Sequence, residues 1–406
     1  MVKPESVGLS SARLETVDRI IKDKYLDSGK LPNAMTLVWR KGETAHLGIQ
    51  GFADVERKKP LAEDTIFRIY SMTKPITSVA FMMLVEQGLV ALDDPVHRFI
   101  PEWKNLGVYN GGFMETFQTK RPNRPMLMVD LLRHTSGLTY GFQQRTNVDA
   151  AYRKLKIGEI EKFGTLDYMV EKIGGLPLEF SPGEAWNYSV STDILGYLVG
   201  KISGMAFEDY LRSKVFEPLK MHETAFSVPA KQNDRFASLY AVTPQGRVLY
   251  DDAAKSHYLQ PPSLVSGGGG LVSTMHDYLR FCRMLINGGE LDGARLLSPK
   301  TIQLMTMNHL PNGGDLPSMS ISLFSEANYG GVGFGLGFSV TLDTAKALIP
   351  GSVGDYSWGG AASTYFWIDP KEELIAIFMT QLMPSTHYPV RREFRTLVYS
   401  AFTKAN

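Results

Sequence analysis

The chain has 406 residues, enough for a large core and two structural lobes, and its 44% hydrophobic and 21% charged content is ordinary for a globular protein. A net charge of +1 with no long basic run argues against nucleic acid or an anionic membrane as partner, and a single cysteine, Cys282, excludes an intramolecular disulfide. Residues 1–5 are not apolar and charged residues follow soon after, so neither a signal peptide nor a bilayer span is expected, and the expected compartment is the cytoplasm. Residues 11–24 read as an amphipathic helix with Leu14, Val17, Ile20 and Ile21 on one stripe. Residues 34–40 and 44–51 read as a hairpin turning at Lys41-Gly42-Glu43, and residues 65–70 as a short strand running inward. Residues 76–85 are apolar almost all round, as in a buried helix, with Pro75 in the first turn and Gly88 as a stop.

Ser71 stands at the start of that helix, and no other serine in the chain has a lysine three places on. On a helix, i and i+3 share a face, so Ser71 and Lys74 come within mutual reach. Burial and the helix N-terminus both disfavour an ammonium there, which lets the lysine take the serine's proton.

Residues 90–330 read as helical segments separated by Pro- and Gly-rich loops, including the Gly267-Gly268-Gly269-Gly270 bend before a helix over 275–287. Within them, Phe180-Ser181-Pro182-Gly183-Glu184-Ala185-Trp186-Asn187-Tyr188 has a turn followed by a tyrosine. A tyrosine near a positive site loses its proton more readily and can serve as a base. Residues 312–328 have little periodicity and read as a surface excursion. Residues 331–338 alternate glycine with apolar residues and read as a strand. Residues 356–368 and 374–379 read as a hairpin turning at 369–372, and residues 389–404 as a closing helix. Small residues in Trp358-Gly359-Gly360-Ala361 would let a substrate lie against the backbone. The chain lacks a His-Glu-x-x-His zinc motif, a Gly-x-Ser-x-Gly elbow and a Walker loop, so no metal and no cofactor are expected.

This order predicts an α+β fold. An antiparallel sheet flanked by helices is assembled from residues 1–88 and 330–406, a mainly helical domain over 89–329 is inserted, and the active site lies between them.

The three stretches, together with Leu131-Leu132-Arg133-His134-Thr135-Ser136-Gly137-Leu138, resemble the serine β-lactamase and penicillin-binding-protein superfamily, with a fold like the class C β-lactamases. The likeness runs over residues 67–378 and is strongest to the family VIII carboxylesterases, with the fungal statin acyltransferases as relatives. The resemblance implies Ser71 as nucleophile, Lys74 as the group that helps deprotonate it, and Tyr188 as general base and acid. It implies an oxyanion hole from the main-chain N–H groups of Ser71 and Ala361, and a substrate surface from Trp358, Gly359, Gly360 and Tyr140. Two positions depart from the β-lactamase pattern. Val190 replaces the asparagine of the tyrosine motif, and Trp358 stands where the Lys-Thr-Gly strand carries lysine. Both changes remove groups that hold a β-lactam. The expected function is therefore a serine esterase acting on small neutral esters. A β-lactamase or D-Ala-D-Ala peptidase, an acyltransferase to an alcohol, and a non-catalytic binding or sensor protein are the alternatives.

Overall fold

The computed structural model describes residues 1–321 and 329–405. Its centre is an antiparallel sheet of eight strands among the described residues: β1 (Asn33–Arg40), β2 (Glu43–Asp54), β3 (Lys59–Pro60), β4 (Val332–Phe334), β5 (Ser339–Thr341), β6 (Tyr356–Gly359), β7 (Tyr365–Asp369) and β8 (Leu374–Met379). The spatial order is β4-β5-β6-β7-β8-β1-β2-β3, so the first hairpin is completed by strands from the far end of the chain. Met35 pairs with Met379 and Leu37 with Ile377.

Side chains alternate across these strands with a period of two. Met35, Leu37, Trp39, Ile375 and Ile377 face the larger core. Ala34, Val38, Ala376 and Phe378 face a second core shared with α1 (Ser11–Ile21) and α5 (Val390–Ser400), the helices near the two termini. Within the larger core, α2 (Thr73–Glu86) and α3 (Ser191–Ser203) pack on each other, and α4 (Met275–Ile286) packs against β8. Residues 73–84 of α2 are all buried, which explains an apolar pattern with no polar stripe. Gly88 closes the helix at φ +70°.

Several details differ from the expectations above. Residues 331–338 are not one strand: Gly335 N–H donates to Phe338 O at 2.7 Å, and the segment folds into the β4–β5 hairpin. The glycines that looked like close-packing positions are partly turn residues, Gly337 having φ +101°. Residues 356–368 are likewise two strands, broken between Gly359 and Tyr365 by a tight loop. The inserted region also carries β structure, since Leu239–Thr243 pairs with Gly246–Asp251 and, in parallel, with Leu382–Met383. Of the expected surface excursion, Leu316–Met319 is a short helix and Ser320 bridges to Trp186, while residues 322–328 lie outside the described residues. Among the described residues, no helix is long and apolar enough to cross a membrane.

Candidate active site

The strand Phe67–Arg68 runs into a 3-10 turn, Tyr70–Met72, and then directly into α2. Gln381 anchors the strand: its side-chain Oε1 accepts from Arg68 N–H at 3.1 Å and its Nε2 donates to Arg68 O at 3.0 Å. Tyr70 takes φ +41°, unusual for a non-glycine residue, and this strained corner presents Ser71 to a cavity of about 570 Å³.

Three polar side-chain atoms meet at Ser71, its own Oγ among them. Lys74 Nζ lies 3.1 Å from Ser71 Oγ, and the Tyr188 hydroxyl donates to the same oxygen at 2.7 Å. Lys74 also donates to Gly268 O at 2.6 Å and sits 4.5 Å from the centre of the Tyr188 ring. Burial pulls the Lys74 ammonium down to about 7, with the Asp193 carboxylate working in the opposite direction. The neutral amine therefore becomes the major form as pH rises through about 7. Tyr188 runs against the expectation of an easily ionised phenol. Burial pushes it well up, outweighing the hydrogen bonds with Ser71 and Trp358. At neutral pH Lys74 is then the group able to accept a proton from Ser71 Oγ, and the Tyr188 hydroxyl, still protonated, is able to donate one.

The His-Thr-Ser-Gly-Leu run acts as a clamp on the tyrosine segment. Asn187 N–H donates to His134 O at 2.9 Å and Asn187 Nδ2 to Leu138 O at 2.9 Å. Ser136 Oγ lies 2.7 Å from Ser191 Oγ, and the His134 ring packs edge-on to Tyr188 at 5.0 Å. Burial keeps the His134 imidazole neutral, so it serves as a packing and hydrogen-bonding group.

The third stretch reaches the site through close backbone approach. A Cβ on Gly360 would stand 2.3 Å from Ile69 O, so only glycine lets the chain just past β6 pass this near the turn that carries Ser71. The following loop closes through Gly360 N–H to Thr364 O at 2.9 Å and leaves Ala361 lining the cavity with Ser71. Arg391 of α5 braces that loop, donating to Gly360 O at 2.5 Å and Thr364 O at 2.9 Å. Its guanidinium occupies the space a Cβ on Gly359 would need, 2.7 Å from Cζ.

Tyr140, Trp358, Gly359 and Gly360 all line the cavity, and Phe142, Trp186, Tyr329 and Tyr365 extend its aromatic wall. Trp358 does more than line it, because Nε1 lies 3.4 Å from the Tyr188 hydroxyl. Val190 is different. It is fully buried, its N–H donates to Thr139 O, and it is not among the residues that line the cavity. Three neighbours were missed from sequence: Asp193, Gly268 and Arg391. Among the described residues, no group of three His, Cys, Asp or Glu side chains could hold a metal ion.

The family profile described as Beta-lactamase matches residues 17–400. Protein Rv1367c of Mycobacterium tuberculosis is 37% identical over 361 residues, 88% of each chain. Esterase EstB of Burkholderia gladioli is 28% identical over 397 residues, 93% of each chain. The solved structure of EstCE1, described as a hydrolase with promiscuous acyltransferase activity, superposes with a TM-score of 0.80 at 24% identity, covering 96% of this chain and 99% of that one.

Proposed function

The chain belongs to the beta-lactamase family, a serine-hydrolase family, and from that premise we propose a cytoplasmic carboxylesterase of the family VIII type, acting on small neutral esters through an acyl-enzyme on Ser71. The observation that carries this reading is Ser71 Oγ held between Lys74 Nζ at 3.1 Å and the Tyr188 hydroxyl at 2.7 Å, with Trp358 and not a lysine beside them. Neutral Lys74 takes the Ser71 proton as Oγ attacks the ester carbonyl. The oxyanion forms against the main-chain N–H groups of Ser71 and Ala361. Tyr188 gives its proton to the departing alcohol and regains one from Lys74. Water then attacks the acyl-enzyme, and the same groups run the sequence in reverse. The similarity to EstB supports ester substrates.

Trp358 presents a flat apolar face with one donor, directed at Tyr188. A hydrogen bond from lysine to a substrate carboxylate contributes about 1.5–3 kcal/mol, or roughly 10- to 100-fold. The expected result is a kcat/KM for p-nitrophenyl butyrate at least about 10³-fold above that for a chromogenic cephalosporin, the lost ion contact and the mismatched aromatic wall acting together. Trp358→Lys should lower neutral-ester activity by about 10-fold or more, by placing charge beside the relay and removing apolar contact. Parent activity on the cephalosporin equal to that on the ester would overturn the neutral-ester reading. Alcohol acceptors added to the same assay divide hydrolysis from acyl transfer, the second reading favoured by the likeness to EstCE1.

A further inference from the structure

Asp193 is buried to 2% exposure, yet its hydrogen bonds go to neutral donors: Ser266 Oγ at 2.5 Å and Gly268 N–H at 3.1 Å, both on Oδ1. The turn it holds lies flat against α2 and the start of α3. Thr77 Oγ1 donates to Gly267 O at 2.8 Å, and Leu271 N–H donates to Thr73 Oγ1 at 3.2 Å. A Cβ on Gly267 would meet Thr192 O at 2.7 Å, and one on Gly268 would meet Asp193 Oδ2 at 2.6 Å. From this pinned turn Gly268 O receives Lys74 Nζ at 2.6 Å. An asparagine would serve the same two donors without burying a charge, and a buried carboxylate is costly unless its charge is used.

The charged and titratable groups around it show the use. Lys74 from α2 and Lys162 from the loop before residue 165 are the cations whose protonation its charge favours, and the hydroxyls of Tyr140 and Tyr188 feel it as well. His134 stands beside Lys74 and is neutral, and Glu159 faces Lys162. We propose that Asp193 is the positioning residue for Lys74: it fixes the Gly268 carbonyl against the lysine and supplies the negative charge that faces it. Without that charge, two cations would confront each other across a buried site. With it, Lys74 changes protonation near neutral pH and can both take and return a proton. The assignment deepens the serine-esterase reading and rests on it.

The test is the pH dependence of Ser71 acylation in parent and Asp193→Asn, read as kcat/KM for p-nitrophenyl butyrate and as the rate of Ser71 labelling by a fluorophosphonate. Removing the negative charge makes the ammonium easier to deprotonate. The acid limb is therefore expected to move down by roughly 0.5–1 pH unit, with the plateau retained within about tenfold because the acceptor for Gly268 N–H is kept. Asp193→Ala, which loses acceptor and charge together, should lose the plateau as well. If Asp193→Asn does not fold, Asp193→Ser keeps a hydroxyl acceptor without the charge and reads the same limb. A limb that stays at the parent pH, or moves up, in a folded variant overturns the proposal. A parent that labels at Ser71 but hydrolyses no ester overturns the esterase reading instead, and the limb of the labelling rate still decides the role of Asp193.

Discussion

Ser71→Ala is expected to reduce kcat/KM for p-nitrophenyl esters by at least about 10⁴-fold, the scale on which loss of a nucleophile is felt. The side chain is one hydroxyl at the end of a strand–turn–helix junction whose backbone is fixed elsewhere. Gln381 holds the strand, and the Tyr278 hydroxyl donates to Met72 O at 2.9 Å. The fold should therefore survive the change, with circular dichroism and melting temperature close to the parent's. Residual activity comes only from whatever the cavity does for water attacking directly. A variant that turns over esters within tenfold of the parent would remove Ser71 from the mechanism.

The second large effect concerns proton transfer. Lys74→Ala and Tyr188→Phe should each lower kcat by roughly 10²- to 10⁴-fold, the usual range of general acid–base help. The two groups act on one oxygen, and Trp358 and Asp193 tie them into a single network. The double variant should then be little worse than the poorer single one. In the parent, kcat/KM should rise with pH through about 7, where Lys74 loses its proton, and no second limb from Tyr188 should appear below about 10, since burial holds the phenol protonated. Additive losses in the double-mutant cycle, or an acid limb unchanged in a Lys74 variant that retains activity, would count against the shared relay.

The closeness of Ser71 and Lys74 was legible in the sequence because i,i+3 spacing on a helix is a local rule, and the buried helix announced itself by lacking a polar face. Sequence carried the sheet hairpin for a similar reason, since Lys41-Gly42 supplies turn chemistry between two apolar runs. It carried Tyr188, Trp358 and Ala361 through likeness to known motifs, not through any pattern that fixes their meeting. What it did not carry depends on contacts far apart in the chain. The hydrogen bond from Gly268 N–H to the Asp193 carboxylate spans 75 residues, and that from Arg391 to Gly360 spans 31. A glycine run reads as flexible until the structure shows what a Cβ would strike. The ionisation of Tyr188 was misjudged because a nearby cation was visible in the motif while the extent of burial was not. The 331–338 segment and the 356–368 run read as continuous strands because their glycines fit a closely packed strand as readily as a turn.

One feature of Lys74 reaches beyond chemistry into heat tolerance. An exposed lysine holds its proton up to about 10.5, whereas the folded site holds it only to about 7. Between those values the unfolded chain binds a proton that the native chain does not. Native stability must therefore fall as pH drops from 10.5 toward 7, and below that the full penalty remains. At roughly 1.4 kcal/mol per unit, the burden is on the order of 5 kcal/mol, comparable with the whole folding stability of many domains. Lys74→Met, which fills the same space without a charge, should melt at a higher temperature than the parent at pH 7. Part of the gain is offset because Gly268 O loses its donor. The difference should shrink as the buffer is taken toward pH 10, and melting curves across that range would settle it: a gap independent of pH would mean that the lysine is charged in the native protein. The residue proposed to activate the serine is thus a standing weakness in the scaffold, one that selection for endurance alone would erase.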